Sequence, residues 1–189
     1  MTKPFCVWIL TDMITDLLYK RRSVRSFEKK PVEAEKVEQL TEAGLLSPSS
    51  RSFYPWEIIV VDDPDRIETL SKAKPHGASF LAGAPLAFVI AADPDKSDVW
   101  VEDCSIVAIL VQLKAEELGL GSCWIQIRNR THQNGESSED HVKRCCNLPE
   151  RFRVDCLVAI GYPSEKKKPR TKDDLDTAKA HRNYFQPAM

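Results

Sequence analysis

Four cations and a hydroxyl fall within six residues at Lys20-Arg21-Arg22-Ser23-Val24-Arg25. A guanidinium forks its N–H donors onto two phosphate oxygens, and a serine hydroxyl adds a short hydrogen bond. The same residues also suit the end of a helix, where cations offset the dipole and stand in solvent. A second basic run, Lys166, Lys167, Lys168, Arg170 and Lys172, lies far off in sequence and, taken alone, reads as a solvated tail. Between the two, Ser47-Pro48-Ser49-Ser50 and Tyr54-Pro55-Trp56 set hydroxyls and backbone N–H groups beside aromatic surface. Such a lining suits a flat heteroaromatic ligand with a polar rim, and ordinary loop chemistry explains it nearly as well. These residues together point to an anionic, aromatic small molecule held by Arg and Ser, without naming it.

Other chemistries lack their signatures. Gly119-Leu120-Gly121 is the nearest approach to a dinucleotide fingerprint, and there is no P-loop, no GxSxG and no HExxH. His141 and Cys145 stand four apart on an expected helix, but no second pair at ligand spacing accompanies them, so no metal site is expected. The six cysteines, Cys6, Cys104, Cys123, Cys145, Cys146 and Cys156, include no CxxC, and three sit in apolar runs. That usage fits a reduced, cytoplasmic chain.

The elements that must position these residues follow from patterning. Phe5–Leu10 reads as a short strand, and Asp12 as the cap of a helix whose Ile14, Leu17 and Leu18 share a face before Lys20. A second helix follows Pro31 and stops before Pro48. Trp56–Val61 reads as a strand, with a short helix around Ile67–Leu70. Pro85–Ala91 is a strand apolar on both faces and hence central in its sheet. Val99–Leu118 is the longest helix, closed by Gly119. Only Ser105 and Gln112 are polar between Cys104 and Leu113, so this helix must be covered nearly all round. Gly121–Ile127 and Asp155–Ile160 are further strands, separated by a polar loop at 129–138 and a helix at Glu139–Cys146.

The 189 residues suffice for one domain with its own core, and 27 Lys and Arg against 28 Asp and Glu leave a net charge of -1. That balance disfavours nucleic acid and anionic membrane surfaces as partners. The longest apolar stretch, Leu81–Ala92, spans twelve residues and contains Pro85, too short to cross a bilayer. No small-residue cleavage site follows Phe5–Leu10, which argues against a signal peptide.

Four segments, RRSVRSF at Arg21–Phe27, SPSSRSFYPW at Ser47–Trp56, GLGSCWI at Gly119–Ile125 and VAIGYPSEKKKPR at Val158–Arg170, together resemble the FMN-dependent nitroreductase family in order and spacing. The resemblance runs from about Met13 to Arg170. It implies an α+β fold, a helix-covered mixed sheet of about four strands in a homodimer with two FMN at its interface. The domain then spans 13–172, between an N-terminal extension at 1–12 and a tail at 173–189.

In that family the segments matching Arg21, Arg22, Ser23 and Arg25 grip the phosphate, ribityl chain and pyrimidine edge. By the same resemblance, Lys168 and Arg170 complete the phosphate site. Pro48, Ser49 and Ser50 reach the flavin from the partner subunit, and the backbone at Gln126 and Ile127 lies near the flavin N5. The sequence departs from the pattern at Ser52, where Asn is common, at Tyr54, where Gln is common, and at Ile127, where Gly is frequent. Ile127 is expected to put a branched side chain near the ring and narrow the substrate slot. His76 falls near another flavin-edge position. The implied activity is an oxidoreductase passing hydride from NAD(P)H through FMN to a nitroaromatic, quinone or similar small electron acceptor. Two other readings stay open at this point. One is a same-scaffold relative that dehalogenates or fragments a flavin beneath a lid at 129–138. The other is a non-catalytic flavin-binding protein whose Ile127 blocks the ring.

Overall fold

Residues 13–185 are described by the computed structural model. In chain order they form α1 (Met13–Lys20), α2 (Ala34–Leu45), β1 (Trp56–Val61), α3 (Pro64–Ser71), β2 (Leu86–Ala92), α4 (Trp100–Glu117), β3 (Gly121–Gln126), α5 (Ser138–Cys146) and β4 (Arg153–Gly161). The strand at Phe5–Leu10 and the Asp12 cap lie outside the described residues.

The strands form one sheet in the order β1-β2-β4-β3, and all three strand pairs are antiparallel. The parallel contact is an isolated bridge between Ser23 and Ser122 at the β3 edge. Every residue of β2 is buried, as its two-sided apolar run requires. Strand alternation then splits the core in two. Leu86, Phe88 and Ile90 face α2 and α4, packing with Leu40, Val107 and Val111. Ala87, Val89 and Ala91 face α3 and α5, packing with Ile67, Leu70 and Val142.

Element ends follow local chemistry. Asp63 accepts a hydrogen bond from the Arg66 N–H at 2.9 Å and Pro64 fills the first helical position, so α3 begins earlier than its apolar residues suggest. Strand β4 begins at Arg153, ahead of its apolar run, because Arg153 forks onto the buried Glu139 of α5 at 2.7 and 2.9 Å. Gly119 ends α4 with φ of 74°.

One expectation for α4 is met only in part. Cys104, Val107, Ala108, Val111 and Ala115 are fully buried, yet Ile106 and Ile109 remain 36% exposed. The single chain therefore leaves one stripe of this apolar helix open. Among the described residues no helix is long and apolar enough to cross a membrane.

Candidate functional site

The two basic segments, distant in sequence, lie side by side. Residues 21–28 run across the ends of β3 and β4 and pair with both. The Val24 N–H donates to Ser122 O at 3.0 Å, and the Glu28 N–H donates to Tyr162 O at 2.8 Å. Ser164 N–H donates back to Ser26 O at 3.0 Å, and the Arg170 N–H reaches Tyr19 O at 2.9 Å. The Arg25 N–H donates to the Glu165 carboxylate at 2.7 Å, and an Arg22 guanidinium N–H donates to Lys168 O.

Two glycines allow this seam to close. A Cβ on Gly121 would sit 2.8 Å from Val24, and one on Gly161 would sit 2.6 Å from Pro85 and 3.1 Å from Phe27. Any larger residue there must push the 21–27 segment off the sheet.

Electrostatics set the seam apart from the rest of the surface. Among the described residues none of Arg21, Arg22, Arg25, Lys168 and Arg170 forms an ion pair, whereas neighbouring Lys167 is paired with Glu165 at 2.6 Å. Asp174 and Glu116 sense these charges only from a greater distance. Like charges held together cost free energy unless an anion joins them. Arg21 and Arg170 share a cavity of about 340 Å³ with Tyr19, Leu18 and Ile109. Ser23, Arg25, Arg21 and Lys74 surround the buried Cys123. Burial pushes its thiol up, while Arg25, a Ser23 hydrogen bond and the other cations oppose the shift.

Lys74 was not visible as a site residue in the sequence, though it lies in the Lys74-Pro75-His76-Gly77 turn. Burial holds its ammonium below the usual lysine range, and Arg130 adds to the shift. His76, on the same turn, is exposed.

The serine loop is built differently. Ser50 N–H donates to Asp103 Oδ1 at 2.9 Å and Ser97 Oγ donates to Asp103 Oδ2 at 3.0 Å. The Tyr54 N–H bonds Ser49 Oγ at 2.9 Å. Arg51, Ser52 and Tyr54 carry φ of 51°, 55° and 46°, a left-handed run without glycine. Such residues cost of order 1 kcal/mol or more each and persist only where surroundings hold them. Asp103, in the first turn of α4 and 2% exposed, anchors the start of this run through Ser50 N–H, and Ser49 Oγ and Asp98 hold Tyr54 N–H and Arg51 further on. Sequence reasoning missed Asp103; its signal is the second acid of Glu102-Asp103, set directly against the apolar run that starts at Cys104.

Pro48 and Ser52 are exposed, and Ser49 and Ser50 half-buried. Their hydrogen bonds stay within the loop and α4, so the structure does not join them to the cationic seam. Ser50 is anchored at Asp103, whereas Arg22 shares a cleft with Glu116 in the last turn of α4. At about 1.5 Å per residue those points are some 20 Å apart along the helix.

The exit from β3 corrects one expectation. Gln126 faces outward, accepting from Trp124 Nε1 at 3.0 Å and donating to Arg128 O at 3.1 Å. Ile127 is fully buried in the cluster with Val142, Val154 and Leu157. Strand alternation turns Gln126 out and Ile127 in, so the branched side chain neither narrows a slot nor blocks a ligand face. Ile127 N–H and Arg128 N–H both bond Asp155 O, at 3.1 and 3.0 Å. The Asp155 carboxyl is 1% exposed, and its Oδ2 has no partner. Burial pushes it up to about 6, against the opposing pull of Arg128.

A helix-covered antiparallel sheet with a cationic seam across one end and a serine loop at the far end of its central helix defines an α+β small-molecule-binding fold. The model of the nitroreductase family matches residues 18–162. A solved FMN-dependent nitroreductase from Clostridium difficile R20291 is 46% identical, with 89% of this chain and 98% of that chain covered and a TM-score of 0.87. A protein of Archaeoglobus fulgidus provisionally named NADH dehydrogenase/NAD(P)H nitroreductase is 33% identical over 162 residues, 84% of this chain and 90% of its own length. The NADPH:FMN oxidoreductase of Vibrio harveyi shares the fold, with a TM-score of 0.77 at 20% identity over 94% of this chain and 80% of that one. This chain belongs to the nitroreductase family.

Proposed function

We propose that this chain is an FMN-dependent oxidoreductase that takes hydride from NAD(P)H and passes electrons to a nitroaromatic, a quinone or a similar electron-poor acceptor. One observation carries the reading: Arg21, Arg22, Arg25, Lys168 and Arg170 gather from two ends of the sequence at one seam, and among the described residues none of these side chains is in an ion pair. Arg21, Arg22, Lys168 and Arg170 fit the terminal phosphate of FMN, because forked guanidinium donors match a dianionic oxygen cluster, and Arg25 is left for the ring end. The relatives' names point the same way, to FMN, NADH and NADPH.

Bound FMN would supply the redox chemistry, accepting hydride and releasing electrons to the acceptor. The chain's own residues bind and tune. Ser23 and Arg25 would hold the ribityl chain and pyrimidine edge, where cationic charge would stabilise negative charge developing on the ring. Gln126 at the β3 exit would border the ring. Pro48, Ser49, Ser50 and Ser52 serve the flavin held by a partner subunit, since within one chain they lie at the other end of α4. The open stripe at Ile106 and Ile109 supports that two-fold contact. Residues 13–172 are the flavin-binding unit. The described cysteines are all free, which supports a reduced, cytoplasmic setting. The 129–138 loop is pinned by a Thr131–Ser137 bridge, which offers little support for a lid.

The test is NAD(P)H oxidation by the purified protein, with and without menadione or a nitrofuran. The reading expects flavin bleaching followed by turnover when acceptor is added. A protein that binds FMN but never bleaches is a binder and overturns the enzymatic part.

A further inference from the structure

Outside the cationic seam, the loop after β3 and the helix it enters hold a second set of polar side chains. His132 and Glu136 in the loop and His141 in α5 bring their ligand-type atoms within 4.8 Å of one another. The two imidazoles stack at 4.5 Å between centroids, 13° from parallel. The Nδ1 atoms face the same Glu136 oxygen, at 3.6 Å from His132 and 3.8 Å from His141. Ligand atoms bound at about 2.0–2.1 Å around a tetrahedral ion lie roughly 3.3 Å apart. Small side-chain shifts therefore close this triangle onto an ion.

The hydrogen bonds around the triangle point the same way. His141 Nε2 lies 3.0 Å from Thr69 O, and a carbonyl only accepts, so Nε2 carries the proton. The lone pair of Nδ1 is then aimed at the carboxylate, an outer-partner arrangement common to metal-ligating imidazoles. The carboxylate already takes a cation: Arg144 Nη2 sits 2.6 Å from the same oxygen and holds the Glu136 carboxyl below its ordinary range. Arg144 is 60% exposed and can swing into solvent. His132 Nδ1 lies 2.7 Å from Asn134 Oδ1 and accepts from Asn134 N–H at 3.3 Å; with the proton on Nε2, its lone pair is free for a metal.

We infer that His132, Glu136 and His141 form a binding site for a divalent transition ion of the zinc class, which clasps the loop after β3 onto α5. Two imidazoles and one carboxylate select this class over magnesium and calcium, which prefer all-oxygen shells. The fourth position is left to water. The His141/Cys145 pair suggested by helical spacing is not the one that forms, since Cys145 turns to Arg66 O and Cys146 while His141 turns to His132. This inference stands apart from the flavin reading.

The experiment uses the full-length flavoprotein after chelator treatment, titrated with Co²⁺ by visible absorption and with Zn²⁺ by calorimetry. One ion per chain is expected, with tetrahedral cobalt bands and no sulfur charge-transfer band. His132→Gln and His141→Gln should each weaken Zn²⁺ by at least about 10- to 100-fold, the range set by lesser outer-shell changes. Arg144→Ala should tighten it several-fold, because the carboxylate is freed. Unchanged flavin content and circular dichroism report that each variant is folded. Should His141→Gln fail to fold, Arg144→Ala and the half-buried Glu136→Gln, which should weaken Zn²⁺ as the histidine changes do, decide alone. No saturable binding, a sulfur charge-transfer band, or affinity unmoved by these substitutions overturns the site.

Discussion

The two ends of α4 present binding residues by opposite means. At its C-terminal end the cationic seam is held by backbone pairing across β3 and β4, and by glycines that let the chain approach closely. Many bonds share the task, and no single side chain fixes it. At the N-terminal end the serine loop stores left-handed strain at Arg51, Ser52 and Tyr54, and its one buried side-chain anchor is Asp103. The seam is a charge problem solved by geometry, and the loop is a strain problem solved around one buried hydrogen-bonding anchor. They should therefore fail differently.

The largest expected effect falls on the loop. Asp103→Ala removes two bonds to a buried carboxylate and leaves Ser50 N–H and Ser97 Oγ unpaired. Bonds to charged groups contribute about 1.5–3 kcal/mol each, so urea denaturation should show a loss of about 3 kcal/mol or more. A loss under about 1 kcal/mol would mean that the strained loop is held by something else.

A second buried carboxylate sharpens the contrast, because Asp155 lacks a partner at Oδ2 where Asp103 uses both oxygens. Asp155 binds its proton more tightly folded, at about 6 against an ordinary 3.8. Its contribution to stability is therefore fully present below about pH 4 and is lost as pH rises towards about 6. At about 1.4 kcal/mol per pH unit the drop is of order 3 kcal/mol. Asp155→Asn should flatten that slope and be the more stable form above the window. Equal slopes in chemical denaturation at several pH values would refute this.

On the seam, Arg22→Ala and Arg25→Ala should each weaken FMN about 10- to 100-fold, from the worth of a bond to a charged group. Unlike Asp103→Ala, Arg25→Ala should destabilise the flavin-free protein by no more than a few tenths of a kcal/mol, while Arg22→Ala should add about 1 kcal/mol from the lost bond to Lys168 O. Affinity by fluorescence quenching and stability by thermal melting separate the two. The smallest effect is geometric. Gly121→Ala sets a Cβ 2.8 Å from Val24 and should cost about 1–2 kcal/mol. Adding Val24→Ala should return much of it; no recovery in a double-mutant cycle would place the strain elsewhere.

Much of this was legible in the sequence. The two-sided apolar run Pro85–Ala91 marked the central strand to within one residue at each end, and Gly119 marked the end of α4. The basic clusters were visible as candidates, but each alone looked like solvated surface, because pairing across the sheet ends is a long-range property that no local window carries. Asp103 stayed hidden for the opposite reason: an adjacent pair of acids in a first helical turn suits the helix dipole, and nothing local tells which of Glu102 and Asp103 turns inward. Ile127 was misread because its face depends on strand register, and β3 keeps alternating through 125–127. His132 was not paired with His141 because a loop turn, not helical spacing, brings them together.

The central claim is that the unpaired cations at the seam exist to hold a terminal phosphate. Comparing FMN with riboflavin on the flavin-free protein, by fluorescence titration at one fixed salt concentration, tests this most directly. The two ligands share the ring and differ in the phosphate alone. With two or more charge-assisted bonds at stake, FMN should bind at least about 100-fold more tightly than riboflavin, and Arg22→Ala should shrink that ratio. Equal affinities for the two ligands, or no binding of either, would contradict the account.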